Sequence, residues 1–380
     1  MASVGDLLEG KRVCICAGSG GVGKTTTSAA IAAGMAARGK KVAVLTIDPA
    51  KRLADSLGLP ELGNEERRVD PGLFTDAGVD PGDGELWAMM LDPKATFDEV
   101  VRKHAPDEET RERILSNRIY QQLSNALAGS QEYMAMEKLF EISAEDRYDL
   151  LVLDTPPSRN ALDFLEAPKR LTQFIEGRAL RVFMAPTGIA AKVAGRGTSA
   201  VFSILKRITG VDLLQDLAEF FQAMSGMVGG FRERARRVNE LLADSQSMFL
   251  VVCGPQGEPI DEAVYFHRKL VEAQLPFGGV IVNKVHYAEE AGDDLDDELA
   301  DLLGDGDLPQ RVAANFSDYR ALAERDRRNV EHLANEMRTR AVIQVPYLDF
   351  DVHDLAGLME VNRYLFATGA AERAELAASA

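Results

Sequence analysis

Gly18-Ser19-Gly20-Gly21-Val22-Gly23-Lys24-Thr25-Thr26 decides the fold of this chain. It follows the short apolar run Arg12-Val13-Cys14-Ile15-Cys16-Ala17 and precedes the Ala-rich stretch from Thr25 to Arg38, which contains no proline and stops at Gly39. The first reads as a buried strand and the second as a helix with a glycine C-cap. Between them the spacing Gly-x-x-x-x-Gly-Lys-Thr matches a phosphate-binding loop in the strand–loop–helix context that this motif requires. Successive backbone N–H groups must face phosphate oxygens, and side chains would block them, hence the glycines. The helix N-terminus adds a favourable dipole. Lys24 is expected at the β- and γ-phosphates, the Thr25 hydroxyl on Mg²⁺ and Thr26 at the α-phosphate.

Outward from the loop, Lys41–Ile47 reads as a second strand that ends at Asp48, and strand–helix–strand implies a parallel pair. Further strands are expected at Glu85–Leu91, Asp149–Leu153, Met248–Cys253, Gly278–Val282 and Ala341–Val345, separated by helical segments. That alternation predicts an α/β fold of the P-loop NTPase type: a doubly wound, mostly parallel sheet. Pro93 to Ile142 and Pro168 to Leu242 break the alternation. They are expected to form a helical subdomain inserted into one P-loop domain spanning 1–380. The second stretch carries Phe174, Phe183, Met184, Phe202, Phe220, Phe221, Met224, Met227 and Phe231. Such helices line either an adaptable apolar groove or an ordinary core face. Gly188, Gly195 and Gly197 suggest a mobile loop there. Arg232, Arg234, Arg236 and Arg237 read as a solvated basic face.

Asp48 and Asp154 both end apolar strands, where open α/β sheets place ligand-facing residues. Leu150-Leu151-Val152-Leu153-Asp154 has the form of a strand that brings a carboxylate to the metal or its waters. The metal set is thus expected to be Thr25, Asp48 and Asp154, the two carboxylates acting through water.

Composition bounds the partners. The 380 residues carry a formal net charge of −17, which argues against a nucleic-acid or anionic-membrane surface. Glu289 to Asp307 holds ten acidic residues and no basic one and reads as a flexible, solvated loop. No stretch approaches the ~20 apolar residues of a membrane helix, and the first residues lack the charged start and apolar core of a signal peptide. A cytoplasmic protein is expected. Cys14, Cys16 and Cys253 fit a reducing compartment and buried packing, with no CxxC pair.

These segments together resemble the ArsA-type ATPases, which include arsenical-pump ATPases and factors that deliver tail-anchored membrane proteins. The resemblance covers about residues 11–361. It rests on the phosphate loop, on Thr46-Ile47-Asp48-Pro49-Ala50-Lys51-Arg52-Leu53-Ala54-Asp55, on Asp154-Thr155-Pro156-Pro157-Ser158, on Val282-Asn283-Lys284 and on Val345-Pro346-Tyr347. It implies a switch aspartate, Asp48, that orients the attacking water, with Lys24 as its partner in catalysis. Asp154 corresponds to the second switch aspartate near Mg²⁺, Asn283 to the asparagine that reads adenine, and the loop after Pro346 to the one flanking the base. ATP and Mg²⁺ are the implied cofactors. The implied activity is ATP hydrolysis, with dimer opening and closing passed by the helical subdomain to a protein client.

Two departures matter. The family's signature loop begins Gly-Lys-Gly-Gly, and its lysine crosses the dimer interface to the other subunit's phosphates. Ser19 stands at that position and carries no charge. The change resembles a bacterial branch in which two paralogues pair, so a heterodimer is expected as readily as a homodimer. A different subunit supplies the charge, another Arg or Lys of this chain does, or turnover is slow. The slow case gives an alternative function, a nucleotide-binding regulatory subunit of a hetero-oligomer. Secondly, the three cysteines form no thiolate cluster in the helical region, where trivalent arsenic would need one, so an anion-pump subunit is the weakest reading. Partitioning ATPases share the loop, but their basic DNA surface or amphipathic membrane tail is not evident in the sequence.

Overall fold

The computed structural model describes residues 3–48, 51–123, 130–155, 226–288 and 307–369, with a few isolated positions besides. In chain order the elements are α1 (Val4–Leu8), β1 (Val13–Gly18), α2 (Lys24–Ala36), β2 (Lys41–Thr46), α3 (Arg52–Ser56), β3 (Arg67–Arg68), α4 (Pro71–Asp76), β4 (Glu85–Met90), α5 (Pro93–His104), α6 (Glu108–Ser116), α7 (Arg118–Leu123), α8 (Ser130–Ala144), β5 (Leu150–Asp154), α9 (Val228–Ala243), β6 (Ser247–Cys253), α10 (Gly257–Glu272), β7 (Phe277–Val285), α11 (Leu308–Glu336), β8 (Val342–Pro346) and α12 (Leu355–Phe366). They fall into two compact units. The first is Met1–Met89, Asp146–Ala161 and Ala243–Ala380; the second is Met90–Glu145 and Leu162–Leu242.

In the first unit eight strands form one sheet in the order β3-β4-β2-β5-β1-β6-β7-β8. The pairings β2–β5, β5–β1, β1–β6, β6–β7 and β7–β8 are parallel, and the short β3 runs antiparallel to β4. The fold is the expected α/β P-loop type, with one correction. β1 and β2 are not neighbours, because β5 lies between them and is in register with both. Every residue of β5 is buried, which suits an uninterrupted apolar run flanked on both edges. The insertion sets Asp154 at the strand tip between the phosphate loop and Asp48.

Helix α2 is buried along most of its length, and Ala29 to Ala33 have no exposed surface. Alanine lets its backbone lie close against the sheet on one side and α12 on the other. At its start Gly23 adopts φ 92°, a left-handed conformation that a side chain would strain. No side chain caps this helix, so its first N–H groups have no intrahelical acceptor and remain available to an anion.

The second unit is built on α5, α6, α7, α8 and α9. Phe97 stacks on Phe231 with centroids 5.8 Å apart and meets Tyr120 at 5.6 Å. Ile114, Tyr133 and Met134 close the same buried cluster. Of the Phe and Met residues noted in the sequence, Phe220, Met227 and Phe231 are core members, as the ordinary core reading expects. Phe174, Phe183, Met184, Phe202, Phe221 and Met224 lie outside the described residues, as do Gly188, Gly195 and Gly197 and most of the acidic stretch 289–307.

The basic run on α9 needs correction. Arg236 and Arg237 are solvated and pair with Glu233 and Glu240 on their own helix. Arg234 is only 19% exposed and forms an ion pair with Glu137 of α8, itself 1% exposed. Burial of a carboxylate in an apolar bundle demands such a counter-charge.

Candidate functional site

The tips of β1, β2, β5, β7 and β8 converge around a cavity of about 350 Å³. Of the residues expected to bind a nucleotide, Gly21, Gly23, Lys24, Thr25, Thr26, Asp48, Asn283 and Pro346 line it. Gly20 and Val22 belong to the loop without forming the wall, and Asp154 lies behind Thr25. The loop is fitted tightly to its surroundings: a Cβ on Gly18 would lie 1.9 Å from the Val252 carbonyl oxygen.

Lys24 is 6% exposed, and its Nζ donates to the Ser19 carbonyl at 2.6 Å. Burial lowers its pKa, while Asp154, Asp48 and Glu262 oppose that shift. The ammonium lies folded on the loop it would leave to meet a phosphate. The Ser19 hydroxyl donates to Glu262 of α10. Position 19 therefore brings no cation, and its side chain is engaged with an acid.

A chain of hydroxyls and carboxylates joins three elements on the other side of the loop. The Thr25 hydroxyl donates to Asp154 Oδ2 at 2.7 Å, and the Thr46 hydroxyl donates to the same oxygen at 2.8 Å. The Asp48 backbone N–H donates to Thr46 Oγ1 at 3.2 Å. Asp154 has no exposed surface, and its Oδ1 accepts no hydrogen bond from the described residues. Burial pushes its pKa up to about 6, against the two hydroxyl bonds and the Lys24 charge. A buried carboxylate with one open oxygen beside a threonine hydroxyl is a hard-donor pair of the kind that Mg²⁺ accepts, with waters and phosphate oxygens completing the shell. The residues present thus fit that ion. Among the described residues no cluster of three His, Cys, Asp or Glu side chains forms an all-protein metal cage.

At the opposite end of the cavity Asn283 Nδ2 donates to the Val22 carbonyl at 2.9 Å. It is therefore tied to the phosphate loop, a contact that strand-end sequence gave no means of anticipating. A bulge separates Asn283 from Val285 in the pairing with β8, and Lys284 there takes φ 64°. Such a bulge re-aims a side chain, and Lys284 lines the cavity. Tyr347 and Phe350, 57% and 45% exposed, form part of the wall after Pro346. Tyr347 stacks on His286 with centroids 5.5 Å apart and planes at 9°. His286 Nδ1 lies 2.7 Å from Asp326 Oδ2, so the aromatic wall is anchored to a fully buried carboxylate.

Arg52, Lys284, Glu262 and His286 were not singled out by sequence reasoning. Arg52 stood in plain view inside Asp48-Pro49-Ala50-Lys51-Arg52, but only the fold shows that it lines the cavity. Cys14, Cys16 and Cys253 are buried in the sheet. The Cys14 thiol is pushed up by its hydrogen bond with the Cys16 thiol and by burial, and burial alone raises Cys253 to about 12. Among the described residues no helix is long and apolar enough to cross a membrane.

The profile of the anion-transporting ATPase family matches residues 11–299. The chain is similar to ATPase get3 of Aspergillus terreus, 25% identical over 278 residues that cover 73% of this chain and 74% of the relative. It is also similar to ATPase get3 of Schizosaccharomyces japonicus, 26% identical over 270 residues, 70% of this chain and 72% of the relative. With ATPase GET3 of Podospora anserina it shares 24% identity over 281 residues, 73% of this chain and 74% of the relative. The family match spans the phosphate loop and both strand-end aspartates, and the chain is an ATP-hydrolysing enzyme that belongs to the ArsA ATPase family.

Proposed function

We propose that this chain is a Mg²⁺-dependent ATP-hydrolysing molecular switch whose nucleotide-driven dimer motion handles a protein client. The observation that carries the reading is one cavity lined both by the N-terminus of α2 and by Asp48, with Asn283 and Pro346 at its far end. Asp48 follows β2 and Asn283 lies near the end of β7, four strand steps apart in the sheet order, or roughly 19 Å at the usual strand spacing. That polarity suits a nucleotide laid across the strand tips, its γ-phosphate toward Asp48 and Asp154 and its base toward Asn283, Pro346 and Tyr347.

In this reading the N–H groups of the loop and α2 hold the phosphates, Lys24 leaves the Ser19 carbonyl to meet the β- and γ-oxygens, and Thr26 touches the α-phosphate. Thr25 and Asp154 hold Mg²⁺, Asp154 and Asp48 through water. The ion, when bound, neutralises phosphate charge. Asp48 accepts a hydrogen bond from the attacking water and aims it. The protein works in the cytoplasm as a homodimer or as a heterodimer with a paralogue, and its second, helical unit takes the client. An anion-pump role has the least support, since thiols buried in the sheet are poorly placed to ligate a metalloid.

Single-turnover hydrolysis of Mg–ATP by the purified chain, alone and with a paralogue, tests the reading. Turnover that disappears in Asp48→Asn is expected. No binding of Mg–ATP under either condition would end the proposal. A second reading, a nucleotide-binding regulatory subunit with little catalysis, is favoured by the Ser19 hydroxyl engaged with Glu262. Equal background rates in wild type and Asp48→Asn would select it.

A further inference from the structure

Hydrolysis at this site has a charge deficit. As water attacks, its oxygen forms a new bond to the γ-phosphorus, and the bond to the bridging oxygen breaks with its electron pair leaving on ADP. The water proton passes to the released phosphate. Negative charge spreads over the γ-oxygens and the bridge on the way, and a cation beyond the loop lysine is worth orders of magnitude in rate. Position 19 offers none, since the Ser19 hydroxyl is spent on the carboxylate of Glu262. That carboxylate also acts on Lys24, so the loop's surroundings add negative rather than positive charge.

Among the described residues three cations line the cavity: Lys24, Arg52 and Lys284. Lys24 is the loop lysine. Lys284 lies near the end of β7, beside Asn283 and Tyr347 at the β8 side of the sheet, which is the end assigned to the base. Arg52 opens α3, four residues after Asp48, on the segment leaving β2. It shares the cavity wall with Asp48 and Thr25. Arg52 is exposed to solvent there, and no described carboxylate forms an ion pair with it. A guanidinium has the right chemistry for this role, because it is always charged and its planar fork can bridge the γ-oxygens and the leaving oxygen.

We propose that Arg52 is a catalytic residue of this chain's own site, supplying in cis the transition-state charge that Ser19 lacks. The proposal rests on the ATPase reading above and adds the source of the second cation. It places the complete charge set for hydrolysis in one subunit.

The test uses the full chain with Mg–ATP and compares wild type with Arg52→Ala and Arg52→Lys. Steady-state rates, nucleotide affinity by a fluorescent ATP analogue, melting temperature and trapping of ADP with aluminium fluoride are measured. Arg52→Ala is expected to lower kcat about 100-fold while changing nucleotide affinity by less than about threefold. It should lose aluminium-fluoride trapping of ADP with an unaltered melting temperature, and Arg52→Lys should regain part of both. A wild-type rate or intact trapping in Arg52→Ala overturns the proposal. Parallel loss of affinity and rate does so too, because Arg52 would then serve ground-state binding. A wild-type chain that binds Mg–ATP but hydrolyses and traps only when a paralogue is added also overturns it, the charge then coming from the partner. A wild-type chain that binds no Mg–ATP in any condition is a different result: it removes the ATPase reading itself.

Discussion

Glu137 in the helical unit and Asp154 in the sheet unit are both buried carboxylates, and the fold treats them in opposite ways. Glu137, 1% exposed, is neutralised by Arg234 and accepts a hydrogen bond from the Tyr133 hydroxyl at 3.2 Å. Asp154, with no exposed surface, keeps one oxygen without any hydrogen bond from the described residues. Two threonine hydroxyls hold its other oxygen, and Lys24 acts on it as part of the site's field. The first carboxylate meets its counter-charge on Arg234 within the bundle, although its Oε1, like Asp154 Oδ1, accepts no hydrogen bond from the described residues. The second has no cation in hydrogen-bond contact among the described residues, which suits the place proposed for Mg²⁺. A buried charge thus separates architecture from function by whether its partners come from the chain.

The largest expected effect tests the completed pair. Glu137→Ala leaves Arg234 uncompensated in the bundle and should destabilise the helical unit by about 3–5 kcal/mol. Hydrogen exchange over Pro93–Ala144 should rise sharply while Mg–ATP binding by the sheet unit persists; unchanged protection would put the pair outside the stabilising core. Next, Asp48→Asn should keep nucleotide affinity and lower turnover by roughly 100–1000-fold, about 3–4 kcal/mol. Normal turnover in this variant, read as phosphate release, would remove the role given to Asp48. Lys24→Ala should weaken ATP binding by about 100-fold, the scale of a charge-assisted contact to phosphate, as read by equilibrium titration.

Asp154 gives a smaller effect of opposite sign. A rise from 3.8 to about 6 means that the ionised carboxylate costs the metal-free fold about 3 kcal/mol at neutral pH. The folded state holds the proton more tightly than the unfolded chain. The associated stability is present below pH 3.8 and is lost as pH rises through about 6. Asp154→Asn should therefore raise metal-free stability at pH 7 by about 2 kcal/mol and flatten that slope relative to wild type, while abolishing the response to Mg²⁺. A destabilised variant would show that the carboxylate, not its neutral isostere, is what Thr25 and Thr46 hold. The smallest effect is that of Arg236→Ala, whose solvated pairs with Glu233 and Glu240 should be worth under about 0.5 kcal/mol by thermal melts.

The sequence reached furthest where chemistry is local. The phosphate loop, the five later strands and the strand-end aspartates all follow from neighbouring residues, because glycine spacing and apolar runs are properties of a short window. Three features stayed out of reach because each depends on a partner remote in the chain. β5 enters between β1 and β2, although β2 follows β1 in sequence. Arg234 looked like one arginine among four until Glu137 was placed beside it. Ser19 was legible as a missing charge, but not as the donor to Glu262. Asn283 was expected to meet the base, and the structure adds a bond to Val22 that only the closing of β7 onto the loop creates.

A Cβ on Gly23 would come within 2.3 Å of the Asn283 amide. Positions 23 and 283 therefore constrain each other, in addition to the strain that a side chain at φ 92° would carry. A side chain gained at the first would have to displace the amide at the second. Relatives that alter one of these residues should carry a compensating change at the other, a covariation readable from homologues without any assay.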